Sequence, residues 1–158
     1  MLNQFEEQGL NVGWIVMATG STGTQSGLLA GLHAAGSDIK VMGVSVRQPK
    51  EKQIADFHKL ASATAAQLTD EPLPVEKVYV DDRFVGKGYG LPTEGTIDAI
   101  KTLARTEGVL LDPIYSAKGM AGMIGMAEEG FFDGEKDVVF LHTGGAMALF
   151  AYGQECTN

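Results

Sequence analysis

The strongest constraint on the fold is a change of period that repeats along the chain. Short apolar or alternating runs at 14–18, 39–46, 75–80, 109–113 and 137–142 read as strands, and the stretches between them carry helical spacing. The first run, Trp14-Ile15-Val16-Met17-Ala18, precedes a helix over 26–35. Ile54, Phe57, Leu60, Ala61 and Ala65 then mark one face of a helix over 49–68, closed by Asp70-Glu71-Pro72-Leu73-Pro74. Thr93 is the expected N-cap of a helix reaching about residue 106. A Met- and Gly-rich helix runs from Ser116 or Lys118 to about residue 129, and a short apolar helix covers 146–152. Between these, residues 81–93 form an irregular loop, with Gly86, Gly88, Gly90 and Pro92 around Tyr89. Strands alternating with helices require crossover connections, which predicts an α/β domain with a mainly parallel sheet. At 158 residues the chain fits a single such domain, 1–158.

In an open parallel sheet, ligands sit beyond the carboxyl ends of the strands. The loops carrying Ser21, Tyr115 and Thr143 all leave such ends, so they are expected to share one site. The first of them, Thr19-Gly20-Ser21-Thr22-Gly23-Thr24-Gln25, has the makings of a phosphate cradle. Glycine lets the backbone approach a ligand closely, hydroxyls add donors, and the following helix points free N–H groups and a positive dipole end at an anion. No Gly-Lys-Ser/Thr closes the loop and no G-x-G-x-x-G fingerprint is present, so a nucleotide is not the first choice. Gly-rich turns also occur without ligands; the hydroxyls of Ser21, Thr22 and Thr24 favour phosphate.

Composition narrows the partners. With 20 acidic and 12 basic residues, a net charge of −8 argues against nucleic acid or an anionic membrane surface, but a local nest of N–H groups can still take a small anion. One cysteine, Cys156, allows no internal disulfide and has no metal-ligand companion, which suits a reducing cytoplasm. The polar start, Met1-Leu2-Asn3-Gln4-Phe5-Glu6-Glu7, lacks a basic and apolar leader, and no apolar run nears the roughly 20 residues needed to cross a bilayer. A cytoplasmic, soluble protein is expected. The 21 glycines are dispersed among turns without a repeat.

With these pieces assembled, the chain resembles the carboxy-terminal half of the D-cysteine desulfhydrase and 1-aminocyclopropane-1-carboxylate deaminase family, pyridoxal-phosphate enzymes of the tryptophan-synthase-β fold type. The likeness rests on Ala18-Thr19-Gly20-Ser21-Thr22-Gly23-Thr24-Gln25-Ser26-Gly27-Leu28, Gly88-Tyr89-Gly90-Leu91-Pro92, Glu107-Gly108-Val109-Leu110-Leu111-Asp112-Pro113-Ile114-Tyr115 with Lys118, and Leu141-His142-Thr143-Gly144-Gly145-Ala146. It implies a three-layer α/β domain equivalent to most of the large domain of these fold-type-II enzymes. It also implies that Thr19, Gly20, Ser21, Thr22, Gly23 and Thr24 hold the phosphate of pyridoxal phosphate, and that Tyr89 and Tyr115 stand beside the substrate as catalytic groups. Read alone, a loop tyrosine is more often structural, because a phenol of ordinary pKa near 10 needs a neighbouring charge or hydrogen bond to act. Ser116 and Thr143 would face the pyridine nitrogen, where a hydroxyl in place of a carboxylate leaves the ring largely neutral. Serine rather than glutamate at 116 resembles D-cysteine desulfhydrase and suits β-elimination of a thiol better than ring opening. Thr143 can equally be an N-cap before Ala146. Met147 stands where the family usually has proline.

The resemblance lacks the family's amino-terminal half, which carries the lysine that binds the cofactor aldehyde, a Ser-Asn-His segment and the smaller domain. Among Lys50, Lys52, Lys87 and Lys118, none is marked as a buried amine of depressed pKa; Lys118 reads as a solvated helix-start residue or a counter-charge to phosphate. The helical polarity ahead of Trp14 makes Met1 read as a genuine start. The expectation is therefore a D-cysteine desulfhydrase-like chain, its full-length family releasing pyruvate, sulfide and ammonia from D-cysteine, but inactive by itself. It should cover exposed apolar surface as a homo-oligomer or with a complementing amino-terminal half. Residues 75–80, the glycine loops and Met120, Met123 and Met126 are candidates for that surface, although the methionines suit a core as well. The alternatives are a non-enzymatic module for phosphate, a phosphorylated metabolite or pyridoxal phosphate, and an oligomeric interaction protein.

Overall fold

A computed structural model describes residues 1–135 and 137–153. Cys156 lies outside them. The elements follow in the order α1 (Leu2–Glu7), β1 (Val12–Thr19), α2 (Gly23–Ala34), β2 (Lys40–Ser45), α3 (Lys50–Ala65), β3 (Tyr79–Asp81), α4 (Glu94–Thr106), α5 (Ser116–Glu128) and β4 (Asp137–Phe140). Short 3₁₀ turns occupy Val75–Lys77 and Ala146–Tyr152. The four strands form one parallel sheet in the order β3, β2, β1, β4, with Ile15 paired to Val41 on one side and to Val139 on the other.

β1 is buried on both faces, and its alternation divides the core. Ile15 and Met17 face a cluster with Leu29, Leu32, Phe57 and Ala61 from α2 and α3, while Trp14 and Val16 face Met42, Val44, Met126 and Phe132 on the α5 side. Three layers result, helices on each face of the sheet, and α4 packs outside α5 through Ala99, Ile100 and Met120. Because β2 and β3 lie to one side of β1 and β4 to the other, the order reverses beside β1. That reversal opens a crevice at the carboxyl end of β1.

Several expectations are corrected. The run at 109–113 is no strand. Val109 N–H bonds back to Leu103 O of α4 and the Asp112 carboxylate caps α5, so the segment turns between two helices and finds no ladder. Residues 75–80 begin as a 3₁₀ turn after Pro74, with Lys77 N–H bonded to Pro74 O, and only Tyr79–Asp81 joins β2. α2 starts three residues earlier than predicted, at Gly23, which shortens the cradle to a tight bend. The proposed surface residues are exposed only in part. Met120, Met126, Val78 and Val80 are buried, whereas Val75 is exposed, and other exposed apolar side chains include Leu91 in the loop around Tyr89, Leu110, Met147 and Phe150.

Thr93 is the N-cap of α4 as expected, its Oγ1 accepting from Thr96 N–H at 3.2 Å. Thr93→Ala should lower stability by about 1 kcal/mol. Urea unfolding followed by circular dichroism checks this; an unchanged midpoint would mean the cap contributes nothing.

Candidate functional site

The bend between β1 and α2 is built from Gly20, Ser21 and Thr22. Gly20 is buried against β2 and α5, where an added Cβ would lie 2.8 Å from Val46 Cγ2 and 3.4 Å from Tyr115 Cε2. Only glycine fits there without displacing Val46. Ser21, Gly23 and Thr24 are exposed. No protein hydrogen bond engages the hydroxyls of Ser21, Thr22 or Thr24 among the described residues, and Thr22 ends the bend as an N-cap without a side-chain cap. The first helical bond of α2 is Ser26 N–H to Thr22 O at 3.2 Å, so the amides of Gly23, Thr24 and Gln25 precede it. The Thr19 hydroxyl is buried without a partner at the same strand end.

A cavity of about 280 Å³ opens at this edge, lined by Gly20, Ser21, Arg47, Tyr89 and Tyr115. The structure thus brings Gly20 and Ser21 of the bend together with both tyrosines, while Thr19, Thr22, Gly23 and Thr24 lie outside this cavity's wall. Arg47 was not anticipated: it follows the carboxyl end of β2, and with Val46 N–H bonded to Thr19 O it sits beside the cradle. Its position one strand end away was the available signal. A second cavity, about 350 Å³ with His33, Lys40, Lys77 and Tyr79 in its wall, lies at the amino ends of β2 and β3. That edge lacks the loops leaving the strands, so the smaller cavity is the candidate.

Tyr115 is partly buried at the start of α5. Burial pushes its phenol above the ordinary value, Tyr89 across the cavity adds to this, and Asp112 acts in the same direction; the Gly20 backbone and Arg47 oppose them. The phenol is therefore protonated at neutral pH, a donor or acceptor of a hydrogen bond. Tyr89 is 59% exposed, so its ring has little packing of its own.

Asp112 sets the position of Tyr115. Its buried carboxylate accepts from Ile114 N–H (3.0 Å), Tyr115 N–H (2.7 Å), Ser116 N–H (2.9 Å) and Ser116 Oγ–H (2.6 Å). Ser116 Oγ also accepts from Asp112 N–H at 2.8 Å. The Ser116 hydroxyl is buried and its one proton is committed, which leaves it only a lone pair for any ring nitrogen. Thr143 is exposed and outside the cavity wall, and it is not an N-cap: Gly145 occupies that position, with no side-chain cap. From the Thr143 loop, Gly145 lies against the Asp112 carboxylate.

Lys118 contradicts its solvated reading. It is fully buried, donates from Nζ to Val85 O and Gly88 O at 2.7 Å each, and burial lowers its pKa. Among the described residues no lysine lines the cavity.

The topology defines an open parallel α/β protein whose switch point falls at the end of β1. The family model described as pyridoxal-phosphate dependent enzyme matches residues 1–144, and the chain belongs to that family. D-cysteine desulfhydrases of Yersinia pestis (strain Pestoides F) and Yersinia pseudotuberculosis serotype O:1b (strain IP 31758) are each 42% identical over 141 residues, 87% of this chain and 42% of theirs. A crystal structure of an ACC deaminase homologue matches with a TM-score of 0.81 at 30% identity, covering 98% of this chain and 46% of that one. The chain spans less than half the length of these relatives.

Proposed function

We propose that these residues form the phosphate-holding part of a D-cysteine desulfhydrase-like pyridoxal-phosphate site, and that they do not turn over D-cysteine by themselves. The observation that carries this is the single cavity joining the Gly20-Ser21 bend to Arg47, Tyr89 and Tyr115. The phosphate fits: Gly20 leaves space that a Cβ would fill, the free hydroxyls of Ser21, Thr22 and Thr24 donate, and the α2 amides and Arg47 supply positive potential. When bound, the group supplies an electron sink for bond cleavage at a substrate α-carbon.

The chain's own residues would do the rest. Ser21, Thr22 and Thr24 would hold and orient the phosphate. Tyr115 holds a proton on its phenol at neutral pH, poised to donate it near a leaving group, with Tyr89 opposite. Among the described residues the aldehyde end has no counterpart, because Lys118 is engaged by two backbone carbonyls and none of the other lysines described lines the cavity. Placement of an amine within bonding distance accounts for much of such a rate, so turnover needs a lysine from outside these residues.

Calorimetric titration tests the reading. Inorganic phosphate and pyridoxal phosphate should both bind and unphosphorylated pyridoxal should not. Ser21→Asp, which places a carboxylate in the cradle, should weaken phosphate binding by at least about tenfold. Equal binding of pyridoxal, or sulfide release from D-cysteine by the chain alone, would overturn the proposal.

A further inference from the structure

We propose that Lys118 is a positioning residue that holds Tyr89 opposite Tyr115, which rests on the reading of their shared cavity as the site. Tyr115 precedes the first residue of α5 and Lys118 lies in its first turn, so the phenol and the ammonium ride on one rigid helix end. Tyr89 belongs to a loop with little structure of its own. Gly86, Gly88 and Gly90 have φ of +67°, +146° and +77°, and the loop's internal backbone bonds are long, Val85 N–H to Asp82 O at 3.3 Å and Leu91 N–H to Gly88 O at 3.4 Å. At its entry, Arg83 is clamped between Asp81 and Glu129. At its exit, Tyr152 donates to Gly90 O at 3.0 Å.

The middle of the loop hangs on Lys118, whose two bonds of 2.7 Å capture the carbonyls of Val85 and of Gly88, the residue next to Tyr89. No carboxylate pairs with this ammonium among the described residues. Burying a charge on carbonyls alone is costly, and a methionine of similar volume would fill the space without that cost. What methionine cannot do is donate to two carbonyls at once. One side chain therefore sets the separation of the two phenols across the cavity, and Tyr89, lacking packing, follows its backbone.

Hydrogen–deuterium exchange and phenol titration of Lys118→Met test this. Amides over 83–92 should exchange about tenfold faster or more, while those of β1 keep their protection. The raised titration of Tyr115, followed by ultraviolet absorbance, should fall toward the ordinary value because Tyr89 no longer stands opposite. Tyr89→Phe should cause the same fall, and adding Lys118→Met to it should cause no more. Lys118→Gln, which keeps a donor, should restore part of the loop protection. A residue that only stabilises the helix would lower the unfolding midpoint and leave the Tyr115 titration in place, and that outcome overturns the proposal. If Lys118→Met does not fold, the wild-type chain decides: Nζ protons of Lys118 must exchange more slowly by nuclear magnetic resonance than those of exposed Lys59, and equal rates contradict the tether. Phosphate affinity of the wild-type chain, measured in parallel, separates the two proposals, since no binding there would sink the cradle and leave the tether standing.

Discussion

Gly119→Val is expected to yield a chain that no longer unfolds cooperatively. α5 packs closely on β1 here, where a Cβ would lie 2.7 Å from Ala18 N, 2.9 Å from Ala18 Cβ and 3.0 Å from Ala18 Cα. Two of these three atoms belong to the backbone of a central strand buried on both faces, so the neighbour cannot give way. Alanine would gain up to about 1 kcal/mol of helix propensity yet lose about 1–3 kcal/mol to overpacking. Valine adds two further carbons and should cost more than about 4 kcal/mol, a large share of the roughly 5–15 kcal/mol that holds an ordinary domain. Gly27→Ala in α2 is the control: nothing lies within 4 Å of its added Cβ, and it should be neutral or raise stability by up to about 1 kcal/mol. Urea melts of the three variants, read by Trp14 fluorescence, check the order. A cooperative Gly119→Val melt near the wild-type midpoint would show that α5 does not sit this close to β1.

The second large effect is at Asp112. Asp112→Ala strands three N–H groups and a hydroxyl at the start of α5, and a loss of about 3–5 kcal/mol is expected, since bonds to a charged acceptor contribute about 1.5–3 kcal/mol each but not additively. Asp112→Asn keeps one acceptor oxygen and should fall between. The same carboxylate raises the Tyr115 phenol, so removing its charge in Asp112→Asn eases ionisation and moves the Tyr115 titration down in pH. Folding favours the neutral phenol of Tyr115. The stability this supplies is present below the unfolded-state value near 10 and is lost as pH rises through the higher folded-state value. Asp112→Asn narrows that window. A melt and an ultraviolet pH titration of the same sample check both effects, and an unshifted Tyr115 titration would separate the charge from the phenol.

What the sequence made legible was local. β1, β2 and β4 were readable because apolar residues fill consecutive positions, and α3 because Phe57, Ala61 and Ala65 keep a helical period that does face the core. The bend after β1 was readable because it joins neighbouring elements. The run at 109–113 misled because three apolar residues look the same in a strand and in a connector; the outcome depends on whether a ladder partner exists, and the Asp112 cap takes that stretch elsewhere. Arg47 was missed because its relevance depends on which strand end lies beside β1, which sheet order decides. Lys118 was misread for a related reason. A lysine in a first helical turn is ordinarily solvated, and its burial depends on carbonyls 33 and 30 residues away folding over it.

The central claim is that the end of β1 holds a phosphate group. Titration of the ¹⁵N-labelled chain with inorganic phosphate, following backbone amides by nuclear magnetic resonance, tests it most directly. The account predicts saturable shifts confined to residues 20–25 with Arg47 and Tyr115, absent in Ser21→Asp. Shifts centred on His33, Lys40 and Tyr79 at the opposite edge, or no shifts at all, would contradict it.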